Sequence, residues 1–151
     1  MLRRTKEEGK IMSHNCQNLL LGCMDFRLQT IIFAWLKENG YAGDADIILV
    51  PGSCKVVAEN PAGCQAGLVL DGIRLAYEKH GVRRFFLTMH EDCGAYGGQT
   101  AFVSAEAEKI KHLADMKKVR EFLKEKYPDA EVKTFRLKQN NDSWEFEEIH
   151  E

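Results

Sequence analysis

Three short apolar runs separated by stretches of helical spacing limit this chain more than any other feature. They are "NLLLGCMD" (18–25), "ADIILVPGS" (45–53) and "VRRFFLTMH" (82–90). Runs of this length that end in turn residues read as buried strands. After the first, "RLQTIIFAWLKENG" places Leu28, Ile31, Ile32, Trp35 and Leu36 at helical spacing and stops at Asn39-Gly40. After the second, "NPAGCQAGLVLDGIRLAYEKHG" reads as a helix from near Pro61 to Gly81. Residues 104–129 read as a long amphipathic helix, with Ser104 as N-cap and Glu106 and Glu108 in its first turns. "EVKTFRLKQ" is a fourth strand, "NNDS" a turn, and "WEFEEIH" alternates like an antiparallel edge. This order predicts an α/β fold, a three-layer sandwich with a mainly parallel central sheet and a C-terminal antiparallel edge strand. Residues 1–17 are polar and mixed in charge and read as an N-terminal arm; residues 18–151 read as a single domain.

Bulk properties narrow the function. The net charge of -2, from 21 basic and 23 acidic residues, argues against a nucleic-acid binder, which needs a basic excess. No apolar run approaches the ~20 residues that span a bilayer, so no membrane role is expected. The N-terminal residues lack the apolar core of a signal peptide, and the five cysteines are odd in number. Reduced thiols in the cytoplasm are therefore expected, not a disulfide framework.

In parallel α/β folds, ligands bind beyond the C-terminal ends of the strands, beside the point where strand order reverses. With strand one central and strands two and three on either side, "GCMDFR", "VPGSC" and "MHEDCG" meet on one edge of the sheet. Along an extended segment Cys23, Asp25 and Arg27 share a face. His90 and Cys93 point opposite ways from a straight strand, so the chain must turn between them, and Gly94 suits such a turn. Its N–H is also placed to face an anion. Two thiols and an imidazole form a known catalytic zinc set with an open fourth position. Asp25 can bind a metal or be held by Arg27.

"CMDFR" followed by "HEDCGA" resembles the Cys-x-Asp-x-Arg and His-x-x-Cys-Gly motifs of beta-class carbonic anhydrases. The resemblance covers residues 18–140. It implies a zinc lyase that hydrates CO2 reversibly to bicarbonate and a proton through zinc-bound hydroxide. It also implies a homodimer or larger homo-oligomer. Zn2+ would be held by Cys23, His90 and Cys93, with Asp25 and Arg27 as the dyad that gates the fourth position. Asp25 would itself be the fourth ligand in a closed state. Gly94 would shape the anion site. Ser53 reads first as a turn residue and second as a substrate contact. Where many members carry Arg-Asn-Ala-Gly-Asn after the second strand, this chain has "LVPGS". The same metal residues also suit a hydrolase of carbonyl sulfide or carbon disulfide, or a non-catalytic zinc protein. Cys16, Cys54 and Cys64 read as structural thiols, with Cys54 closest to the site. His14, His80, His112 and His150 read as surface or helix-end residues, and Trp144 as an edge or subunit contact.

Overall fold

A computed structural model describes residues 13–150. Of the expected arm, residues 1–12 lie outside the described residues, and 13–17 run without regular structure into the first strand. The strands are β1 (Asn18–Cys23), β2 (Ala45–Val50), β3 (Arg84–His90), β4 (Glu131–Asn140) and β5 (Ser143–Ile149). The helices are α1 (Gln29–Glu38), α2 (Lys55–Glu59), α3 (Cys64–Leu75) and α4 (Ala105–Lys126). The sheet order is β2-β1-β3-β4-β5. The first four strands pair in parallel and β5 closes the edge antiparallel to β4. The α/β reading, the placement of β1 between β2 and β3 and the antiparallel C-terminal edge all hold.

Helices cover both faces of the sheet. On one face Leu19, Leu21, Phe85 and Leu87 pack against Val57 of α2, Val69 and Ile73 of α3, and Met116, Val119 and Leu123 of α4. On the other, Leu20, Phe86 and Phe135 meet Leu28 and, from α1, Ile32 and Leu36. There Trp35 stacks on Phe146 of β5 at 4.6 Å between ring centroids. Among the described residues no helix is long and apolar enough to cross a membrane.

The helix expected from near Pro61 to Gly81 is present, starting at Cys64 and preceded by a short helix that was not expected. Residues 55–59 form the short α2, a loop holds Asn60 to Gly63, and α3 begins at Cys64. Its last turn widens over Ala76–His80 and ends on Gly81, left-handed at φ 75°. Proline lacks an N–H to continue a helix and holds the residue before it extended, which separates α2 from α3. α4 begins as predicted, with Ser104 Oγ accepting the Ala107 N–H at 3.1 Å. Its inward face departs from a plain apolar stripe: Glu108, His112 and Asp115 are all fully buried.

Candidate metal centre

β1 brings Cys23 to the edge of the sheet. The preceding Gly22 has no room for a side chain, because a Cβ there would lie 2.9 Å from Thr88 Oγ1. The strand then ends at Cys23, which corrects the expected alignment of Cys23, Asp25 and Arg27 along one extended face. Asp25 instead caps a tight turn at Phe26–Leu28, accepting the Arg27 N–H at 2.9 Å. That turn swings the Arg27 side chain back onto Asp25. Its Nε donates to both carboxylate oxygens at 3.1 Å, and Nη2 donates to Oδ2 at 2.7 Å. Charge-assisted pairs of this kind favour the ionised acid. Arg27 holds the Asp25 carboxyl below its ordinary value of 3.8.

His90 ends β3, and the turn to Cys93 is made by Asp92, left-handed at φ 54°. This corrects the assignment of that turn to Gly94, which opens a short helical turn at Gly94–Tyr96. A Cβ on Gly94 would meet nothing within 4 Å, so its lack of a side chain leaves adjoining space open. Cys23 Sγ and Cys93 Sγ lie 3.9 Å apart. The ligand atoms of Cys23, His90 and Cys93 all fall within 4.8 Å of one another, and all three residues are buried. His90 Nδ1 is 2.7 Å from the Glu91 carbonyl, which can only accept, so Nδ1 carries the proton. Nε2 is buried and has no hydrogen-bond partner. Its lone pair faces the two thiols, and the three residues can hold a metal ion. Without one, the Cys93 thiol beside it pulls Cys23 down in pKa, while the same contact pushes Cys93 up.

Other residues hold this arrangement in place. Arg27 bridges Asp25 to Asp92, donating from Nη1 to Oδ2 at 3.1 Å and from Nη2 to the carbonyl at 3.0 Å. The Asp92 N–H donates to Glu108 Oε1 at 2.7 Å, and Asp92 Oδ1 accepts the Gln99 N–H at 2.8 Å. Glu91 is anchored to β4 by Arg136 at 2.9 Å and by the Gln139 N–H at 2.8 Å. Trp144 meets His90 edge-on at 5.7 Å and lies 5.6 Å from the Arg27 guanidinium. Trp144 therefore backs the centre from β5, in addition to sitting at the edge of the sheet. Nothing in the local pattern marks Glu108, Arg136 or Trp144 as part of the centre. The acidic pair in "HEDC" was the only signal available.

A cavity of about 840 Å³ opens beside Cys23, walled by Met24, Phe26, Pro51 and Ala95, with Asp25 and Arg27 on its polar side. Gly94 also lines it. Ser53 does not. It is fully buried, and its hydroxyl donates to the Leu21 carbonyl at 3.4 Å. Cys54 is a core thiol, fully buried and pushed up to about 12 by desolvation. Cys64 is free and exposed. His112 is not at the surface as expected. It is fully buried, with both ring nitrogens unpartnered, beside Tyr96 and Phe102. His80 and Cys16 are likewise drawn together, at the opposite end of the sheet.

A mainly parallel α/β sheet with two thiols and an imidazole converging beyond its strand ends defines an α/β fold with a candidate metal centre. Residues 13–150 match the family described as "Putative carbonic anhydrase", and the chain belongs to that family. An uncharacterized protein of Rickettsia conorii is 29% identical over 125 residues, covering 81% of this chain and 67% of its own. The fold is similar to carbonic anhydrase from Streptococcus mutans, with a TM-score of 0.58 at 16% identity over 89% of this chain and 84% of that one. It is also similar to the β-carbonic anhydrase of Aspergillus fumigatus, with a TM-score of 0.50 at 19% identity over 88% and 76% of the two chains.

Proposed function

We propose that this protein hydrates CO2 reversibly to bicarbonate and a proton at a zinc ion held by Cys23, His90 and Cys93. The observation that carries the reading is the buried, unpartnered Nε2 of His90 facing two thiols 3.9 Å apart. Two thiolates on one tetrahedral zinc, each at about 2.3 Å, sit about 3.8 Å from one another. Zinc in such a set supplies Lewis acidity and lowers the pKa of a coordinated water.

The protein's own residues supply the rest. Asp25 Oδ2 lies 3.8 Å from His90 Nε2, next to the three side chains that would hold the ion. Arg27 engages both Asp25 oxygens, so the carboxylate is held away from ligation and set to accept a hydrogen bond from the attacking water. Because Arg27 keeps Asp25 ionised, Asp25 orients that water and does not store its proton, which leaves through the open cavity. Met24, Phe26 and Ala95 offer an apolar wall suited to CO2, and the bare Gly94 leaves room for the product anion. A cytoplasmic setting, which keeps thiols reduced, suits a site built on two thiolates. The exposed Met24 and Phe26 at the cavity rim suit burial in a homodimer.

The test is stopped-flow CO2 hydration by zinc-loaded protein from neutral to alkaline pH, with Asp25→Ala as control. Turnover that rises with pH and is lost in the variant is the expected result. Bound zinc without turnover at any pH would sink the proposal. The apolar wall also favours a second reading, hydrolysis of carbonyl sulfide, and parallel assays on the two substrates separate them.

A further inference from the structure

We propose a second metal site at the opposite end of the sheet, where Cys16, Asp46 and His80 bind a zinc-class divalent cation that ties the lead-in of β1 to β2 and to the end of α3. Among the described residues, two groups of three side chains bring metal-ligating atoms within 4.8 Å of one another, and this is the second. It lies far from the first, because Asn18 and Ala45 pair at the start of β1 and β2 while Cys23 and Val50 pair at their ends.

The backbone sets the convergence. The Cys16 N–H donates to the His80 carbonyl at 2.9 Å, and the Arg83 and Arg84 N–H groups donate to the Gln17 carbonyl at 3.0 and 3.1 Å. Asp46 and His80 meet directly, with Oδ2 and Nδ1 2.6 Å apart. Cys16 Sγ donates weakly to the Asn18 carbonyl at 3.6 Å, an acceptor it can leave cheaply. All three residues are half-buried and line a cavity of about 360 Å³, which His14 also lines.

The donor chemistry fits the ion. Sulfur, imidazole nitrogen and carboxylate oxygen are the three donors zinc takes in proteins. One thiolate and one carboxylate neutralise a divalent charge, and His14 or water can complete four-coordination. Binding releases the Cys16 thiol proton to solvent and shifts the His80 ring proton from Nδ1, where it faces the Asp46 carboxylate, to Nε2, freeing the Nδ1 lone pair. It also parts His80 from Asp46, because nitrogen and oxygen donors about 2.0–2.1 Å from a tetrahedral ion sit about 3.3 Å apart. The side chains of His80 and Asp46, 32% and 31% exposed, have room to part. A plain histidine–aspartate pair with a bystander thiol would bind no metal.

The test uses the full chain, stripped with chelator, re-equilibrated with zinc, dialysed and measured by elemental analysis. About two zinc ions per wild-type chain are expected, and about one in Cys16→Ser, in His80→Ala and in Cys23→Ser. Cobalt(II) substitution reads the donors directly. Cys16→Ser should lose roughly a third of the thiolate charge-transfer absorption, one thiolate of three, and keep CO2 hydration. Zinc and cobalt signals unchanged in both Cys16→Ser and His80→Ala would overturn the second site and leave the first intact. Zinc retained in Cys23→Ser but lost in Cys16→Ser would uphold the second site and overturn the first.

Discussion

The two ends of the central sheet carry similar donors in opposite settings. At the C-terminal end Cys23, His90 and Cys93 are 6%, 1% and 2% exposed, and the Nε2 of His90 is buried without a partner. At the N-terminal end His80 is about a third exposed and already satisfied by Asp46. An unpartnered nitrogen in a dry site is costly unless something binds it, so the first end is organised for an ion in advance. The second must break a 2.6 Å contact to bind one. What separates the two is the surrounding layer of bonds, which runs from Glu108 through Asp92 and Arg27 to Asp25 at the first end.

The largest effect is expected from Cys93→Ser. It removes a ligand at the buried end, so the zinc there and CO2 hydration are lost together, the rate falling to the uncatalysed background. Metal analysis and stopped-flow assay on one preparation check this. Asp25→Ala should keep the metal and lower turnover by about 10²-fold or more, since the acceptor for the water is gone. Full turnover in that variant would remove Asp25 from the mechanism.

Glu108→Gln acts one step further out. It weakens the hold on the Asp92 N–H, and turnover should fall by about tenfold with zinc content unchanged. Far-UV circular dichroism and metal analysis on the same preparation separate a loosened Arg27–Asp25 pair, which leaves fold and zinc unchanged, from a merely structural loss, which does not. Chelator should strip the N-terminal end first, with affinity there about tenfold weaker or more. A single release step would erase the distinction between the two ends.

The smallest effect concerns stability. Burial lowers the pKa of His112 from 6.5 to about 4. The unfolded chain therefore takes up a proton that the folded one refuses as pH falls below 6.5, and stability declines down to about 4. Between pH 7 and 5.5 this amounts to about 1 kcal/mol, read by urea unfolding. His112→Leu should flatten that slope. Asp25 has the opposite chemistry and the same sign. Its pairing with Arg27 stabilises the fold above the ordinary carboxylate value of 3.8 and is lost as pH falls through the lowered one.

Much of this protein was legible in its residues because local pattern and local chemistry coincide. Apolar runs of strand length alternate with helical spacing, and parallel strands joined by crossovers put their C-terminal ends on one edge. That logic alone brought Cys23, His90 and Cys93 together. It failed where a single strong turn residue changed direction. Asp92 carries the turn assigned to Gly94, and the capped turn after Asp25 folds Arg27 back where an extended strand was expected. Tertiary structure alone decided the rest. Glu108 lies on α4, Trp144 on β5 and His80 at the end of α3, each far along the chain from its partner. A contact between distant segments is set by how helices and strands pack, to within an ångström, and no residue pattern on one element records the side chain that will face it from another.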